Sequence, residues 1–304
     1  MNKKKNIPSS YAPFEALVKP ARPTAKLGRL GHGIVLDYEL FVTLLILLSA
    51  LLQMYLPAPP QSLTDGNEEN SITAGILLSN LFAFALFFPA LALTLRNVHN
   101  RSLLSLLGNA DLARVQMIAV IRHLAVFFGV LFFLMFLASD FRPEPNLSLG
   151  KWLLFIPLAL PAILIQTSAE ELMFRGYLQS QLAARFANPL IWIIAPAVFF
   201  GLLHYEPEIY GEATWFVVIW AAAFGIAAAD ITARSGTLGP AIGFHFCNNV
   251  FAILIVSPEV SYGSLSLFTQ PFSVSDLANW QSWAPVEALA LLNSWLIIRL
   301  AIRR

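Results

Sequence analysis

The chain has 304 residues, 57% of them hydrophobic and only 12% charged, with a mean hydropathy of +0.67. No soluble domain of this size could bury so large an apolar fraction, so water is excluded as its main solvent. The net charge is +1, and the nineteen Lys and Arg are scattered singly beyond a short N-terminal group, which excludes nucleic acid as a partner. One cysteine, Cys247, lies in an apolar run and leaves neither an intrachain disulfide nor a Cys-rich zinc module.

Residues 1–33 come first. Seven basic residues (Lys3, Lys4, Lys5, Lys19, Arg22, Lys26 and Arg29) and no apolar core among them argue against a cleavable signal. Pro8, Pro13, Pro20 and Pro23 disfavour a long helix, so this stretch reads as a mobile cytoplasmic tail ahead of a membrane domain at 34–304.

A bilayer core needs roughly 20 apolar residues per helix. Such windows fall at about 36–56, 72–95, 117–138, 152–172, 190–205, 214–233, 238–256 and 283–301. The predicted fold is therefore all-α, a polytopic membrane bundle of about eight transmembrane helices. Residues 101–121, with Arg122 and His123 just beyond, read as an interfacial helix ahead of the third span.

The basic residues sort by side. Arg96, Arg101, Arg114, Arg185, Arg234, Arg299, Arg303 and Arg304 fall in alternate connections or at the C-terminus, and only Arg142 and Lys151 fall opposite them. By the positive-inside rule both termini are cytoplasmic, and eight spans satisfy that where seven would not. Tyr38, Tyr55, Trp152, Trp192, Trp215 and Trp283 near span ends read as an aromatic belt.

Ionisable groups inside a span cost about 2.5 to 3.5 kcal/mol each, so every one needs a reason. Glu171 and Arg175 are i and i+4, acid first, and can neutralise each other on one helix face. Glu170 lies about 100 degrees around the helix and has no base at i+3 or i+4, which leaves its carboxylate available as a general base. His245 and Asn249 are also i and i+4, so both can aim donors at one developing oxyanion. His204 sits in the fifth span and could hold a water against Glu170. His32, His99 and His123 read as solvated surface residues, and Asp230, near a cytoplasmic helix end, as structural glue. The span limits set one difficulty: they put Glu170, His204 and His245 at different depths. The fourth helix must then run on through Gln179 or beyond, with Pro157, Pro161 and Pro196 available for bending.

These residues make three motifs in order: EExxxR at Glu170, Glu171 and Arg175; FxxxH at Phe200 and His204; HxxxN at His245 and Asn249. In them the chain resembles the CAAX-prenyl-protease and bacteriocin-processing (CPBP) family of intramembrane endopeptidases, over about residues 150–255. The resemblance implies peptide-bond hydrolysis within the membrane, on a membrane-anchored, prenylated or otherwise hydrophobic peptide. It further implies water activation by the matches of Glu170 and His204, an oxyanion site from those of His245 and Asn249, and support from Glu171, Arg175 and Phe200. Glutamate chemistry without a cofactor is the expectation, in a water-containing cavity between spans four and seven that opens toward the cytoplasm. Zinc is the alternative, held by Glu170, His204 and His245 with an open fourth position. Two other functions fit the same residues: a proton-coupled transporter and a non-catalytic scaffold. Lipid and a peptide substrate are the expected partners, and a prokaryotic inner membrane the expected location.

Overall fold

In hydrocarbon every backbone N–H and C=O must find its partner within the chain, and this drives each apolar stretch into helix. The computed structural model of the protein describes residues 7–55, 74–138, 142–257, 263–270 and 273–302. Six helices there are long and apolar enough to cross a membrane: α1 (Leu27–Tyr55), α2 (Ala74–His99), α3 (Ala110–Leu137), α4 (Leu149–Arg185), α6 (Pro207–Ser235) and α8 (Leu277–Ala301). Two shorter apolar helices, α5 (Pro189–Leu202) and α7 (Gly239–Ile255), bring the bundle to the eight expected. The protein is an integral membrane protein of helical-bundle architecture.

Local sequence sets the helix starts. Asn109, Ser148, Asn188 and Asp276 precede α3, α4, α5 and α8, and each side chain accepts a backbone N–H from the first turn. Pro189 then opens α5, where its missing N–H costs nothing. At its other end α6 stops on Gly236 in the left-handed conformation (φ 72°), packed so closely on the Pro13 carbonyl that a Cβ would come within 2.4 Å.

Several helices extend beyond their expected starts. Helix α1 begins at Leu27, and α3 at Ala110, carrying Arg122 and His123 on an exposed face. The decisive extension is at the other end of α4. Its α-helical part ends at Glu171, but the helix continues as a π-helical segment, Leu172–Leu178, and regains α geometry through Arg185. Glu170 thus lies well inside a 37-residue helix rather than at a span end, at the level of His245. A π segment widens the turn and redirects the side chains that follow, and such segments recur at functional sites.

The core forms where α4, α5, α6 and α7 meet α3. Phe174, Trp192, Phe200, Phe224 and Phe244 are buried together. Helix α7 packs against α3, α4 and α6, and α5 lies along α6. Gly201 makes the α5–α6 approach possible, since a Cβ there would stand 2.6 Å from the Val218 carbonyl oxygen. Two-residue strands tie the connections after α3 and α7 together. β1 (Glu144–Pro145) pairs antiparallel with β3 (Phe268–Thr269), which pairs in parallel with β2 (Val256–Ser257).

Three expectations are corrected. Residues 7–33 are not a tail: short turns at Ser9–Phe14, Glu15–Val18 and Lys19–Thr24 dock on the bundle, with Phe14, Leu17, Val18 and Ala21 fully buried, and α1 takes up the rest. The prolines that forbid a long helix suit these short turns, and the apolar residues between them have a core to fill. Trp192 and Trp283 leave the aromatic belt for the interior. Trp192 is covered by the rings of Tyr11 and Phe14, at 5.4 and 5.2 Å between centroids. Tyr38, Tyr55 and Trp215 are exposed, with Tyr38 in the body of α1 rather than at its end. His99 is also buried, bonded to Thr24, Tyr177 and Gln181, while His32 and His123 are on the surface.

Candidate active site

The three motifs converge. Glu171 is wholly buried on α4, and its Oε1 accepts from Arg175 Nη1 at 2.9 Å, one turn along the widened helix. The same oxygen faces His245 Nδ1 of α7 at 2.8 Å. Such a contact places a proton on Nδ1 and turns Nε2 inward. Nε2 stands 3.7 Å from Oε2 of Glu170. The two neighbouring glutamates therefore flank one imidazole, Glu170 near its Nε2 and Glu171 at its anchored Nδ1.

Arg175 is held by more than its carboxylate. Its guanidinium carbon lies 4.6 Å from the centre of the Phe200 ring, 5.7 Å from that of Phe174 and 5.9 Å from that of Phe224. These are cation–π distances, and in a dry interior they replace part of the hydration a buried cation loses. Phe200 has a second duty. Its ring is 4.7 Å from that of His204 and 5.9 Å from that of His245, so it packs on both imidazoles. His204 lies just past the end of α5, and its Nδ1 faces the Phe200 carbonyl oxygen at 2.9 Å, which leaves Nε2 as a lone-pair acceptor.

Asn249 closes the arrangement from α7. Its Nδ2 donates to Gln166 Oε1 at 2.9 Å, and Gln166 Nε2 donates to Glu170 Oε1 at 2.6 Å. Gln166 falls outside all three motifs. Its signal was nonetheless in the sequence, as the residue one turn before Glu170 on the same helix face. Two other partnerships could not be read from spacing along one helix: the contact of Glu171 with His245, and the place of Phe224 beside Arg175.

The satisfied and unsatisfied atoms divide sharply. Oε2 of Glu170, Oε2 of Glu171 and Nη2 of Arg175 are buried without a hydrogen-bond partner. Buried polar atoms are nearly always paired, and the exceptions concentrate where a ligand or a reaction is to be accommodated. Glu170 and His245 keep 17% and 6% of their side-chain surface, so the edge of the cluster at Glu170 is the more open one. The concave surfaces along Leu190 to Leu202 of α5, and between α3 and α8 at His123 and Ile297, are apolar and face outward. Neither is the expected cavity between spans four and seven.

Asp230 stands apart from this cluster. Arg234, Tyr11 and Trp295 hold its two oxygens, as expected of a structural residue. Among the described residues no three His, Cys, Asp or Glu side chains are grouped to hold a metal ion. Glu170, His204 and His245, the alternative zinc set, are not such a group.

Comparison with known proteins bears on the same segment. A curated relative, the uncharacterized protein YyaK of Bacillus subtilis (strain 168), is 36% identical over 129 residues, which span 41% of this chain and 42% of that protein. The chain thus covers less than half the length of that relative. No solved structure matches. Residues 151–251 match the family model of the type II CAAX prenyl endopeptidase Rce1-like proteins. Over the third of the chain that holds EExxxR, FxxxH and HxxxN, the protein is therefore similar to the Rce1-like members of the family its motifs indicate.

Proposed function

We propose that the protein is an intramembrane endopeptidase that hydrolyses a peptide bond of a membrane-anchored, prenylated or otherwise hydrophobic peptide. The observation that carries this reading is Oε2 of Glu170, buried without a partner and 3.7 Å from Nε2 of a histidine whose other nitrogen is already anchored. A carboxylate so placed has an oxygen free of hydrogen bonds to act as a base and an imidazole nitrogen beside it.

In the proposed reaction Glu170 Oε2 takes a proton from a water that His204 Nε2 helps to orient. The oxygen attacks the scissile carbonyl carbon, and negative charge gathers on the carbonyl oxygen. Protonated His245 Nε2 and the second N–H of Asn249 Nδ2 donate to that oxygen; one such donor in a dry site is worth about 100- to 1000-fold in rate. The C–N bond then breaks, and the leaving amine takes the proton from Glu170. Glu171, itself held by Arg175, keeps His245 oriented throughout. Metal-independent glutamate chemistry is the proposed form, carried by a Glu170 Oε2 that has no hydrogen-bond partner; a carboxylate on the far nitrogen of His245, as Glu171 supplies, orients the ring with or without a metal. Both termini are placed in the cytoplasm by the basic residues of the alternate connections, and a prokaryotic plasma membrane is the proposed location.

The experiment is terminal-peptide proteomics on membranes from cells carrying wild type or Glu170→Gln, with metal analysis of the purified protein. New C-termini that depend on Glu170, from protein with less than stoichiometric zinc, are the expected result. Identical termini in both strains would overturn the reading, and one tightly held zinc per chain would overturn its metal-free form.

A further inference from the structure

Glu170 and Asn249 come from different helices and do opposite jobs in the proposed reaction, one accepting a proton and the other donating to an oxyanion. One side chain joins them. Gln166 is buried on α4, donates to Glu170 Oε1 at 2.6 Å, and accepts from Asn249 Nδ2 at 2.9 Å. Asn249 Oδ1 in turn accepts from Asn248 Nδ2 at 3.2 Å. The bonds shorten toward the carboxylate, and all three run in one direction.

That direction has a single cause. A primary amide has a donor end and an acceptor end, and either can face a neighbour, whereas a carboxylate only accepts. Glu170 therefore fixes Gln166 with its NH2 inward and its carbonyl outward. The outward carbonyl then requires Asn249 to present its own NH2. Reversing either amide would set two oxygens against each other in a dry interior, where such a contact is most costly.

We infer that Gln166 is a positioning residue that couples the base to the oxyanion donor: the charge of Glu170, passed through the Gln166 amide, holds Asn249 with its N–H groups toward the reacting centre. The inference rests on the peptidase reading. It gives Gln166 no contact with substrate; its effect is on which end of Asn249 faces the site.

The test uses the purified full-length protein in liposomes and a synthetic peptide matching a terminus that depends on Glu170. Gln166→Met keeps length and burial but offers neither N–H nor C=O. Its expected kcat is about tenfold below wild type or lower, the usual scale for a lost hydrogen bond to a charged group, with KM within about twofold. In an Asn249→Ala background the same substitution is expected to cost no more than about twofold, because the amide it orients is gone. Equal losses in both backgrounds, or a wild-type kcat, would overturn the inference. Gln166→Glu covers the case in which the first variant does not fold: it keeps the acceptor toward Asn249, supplies no N–H to ionised Glu170, and must be impaired at neutral pH. A Gln166→Glu protein as active as wild type would equally overturn it. Glu170→Gln runs alongside. If that variant still cleaves, Glu170 is not the base and the proposed reaction has failed; if it is inactive while Gln166→Met is not, only the role of Gln166 has.

Discussion

The protein carries two acid–base pairs with the same i, i+4 spacing, and they have become different things. Asp230 and Arg234 sit at the end of α6, where the arginine keeps 28% of its side-chain surface. Every oxygen of that aspartate is used, by Arg234, the Tyr11 hydroxyl and the Trp295 indole, so the pair binds the N-terminal segment and α8 to α6. Glu171 and Arg175 are essentially without exposed surface, share the histidine of a third motif, and stand beside polar atoms left unpaired. A fully satisfied cluster is finished as structure. One that stays incomplete at real cost has room for chemistry.

The largest expected difference is in stability. Arg175→Met strands Glu171 and His245 in a dry core, and losing one partner of a buried pair costs about 3 to 5 kcal/mol. Thermal unfolding in detergent should show the protein badly destabilised or unrecoverable from the membrane. Phe14→Ala comes next: it empties a fully buried site against Trp192 beneath the turns that carry Tyr11, and large-to-small changes of this kind cost about 3 to 5 kcal/mol where the site cannot collapse. It should lower stability much as a core mutation would, which a mobile tail could not do. Arg234→Met should cost about 1 kcal/mol or less, because that pair is partly solvated. A loss as large as that of Arg175→Met would erase the contrast between the pairs.

The smallest effect is one of pH. Burial, and then the hydrogen bond and charge of Asp230, push the Tyr11 hydroxyl up to about 12 from its ordinary value near 10. The unfolded chain loses this proton at lower pH than the folded one. The contribution of Tyr11 is thus complete below about pH 10 and disappears as pH rises toward 12. Melting curves at pH 9.5 and 11.5 should differ more for wild type than for Tyr11→Phe; an equal difference would show that the hydroxyl does not report on the Asp230 clamp.

Much of this was legible in the sequence because membrane burial makes polar residues expensive. Eight apolar stretches give eight helices, and the pairing of Glu171 with Arg175 follows from spacing along one helix. What could not be read depends on contacts between helices or on departures from ideal geometry. The depth of Glu170 depends on the π segment at Leu172–Leu178, which no apolar window marks. The burial of His99 and Trp192 depends on Thr24, Tyr11 and Phe14, residues in a stretch whose prolines and charges resemble those of a tail. The bond of Gln166 to Glu170 follows a spacing that could have been seen, but a search for bases at i+3 and i+4 looks past a glutamine at i−4.

The central claim, that the unpaired carboxylate of Glu170 is the base, is tested most directly by the rate at which purified wild type, Glu170→Gln and Asp230→Asn cleave one peptide in liposomes at matched protein. The account predicts a loss of about 100-fold or more for Glu170→Gln, the scale of a missing general base, with unfolding temperature unchanged, and near wild-type cleavage for Asp230→Asn. Glu170→Gln cleaving at the wild-type rate, or Asp230→Asn losing as much, would contradict it.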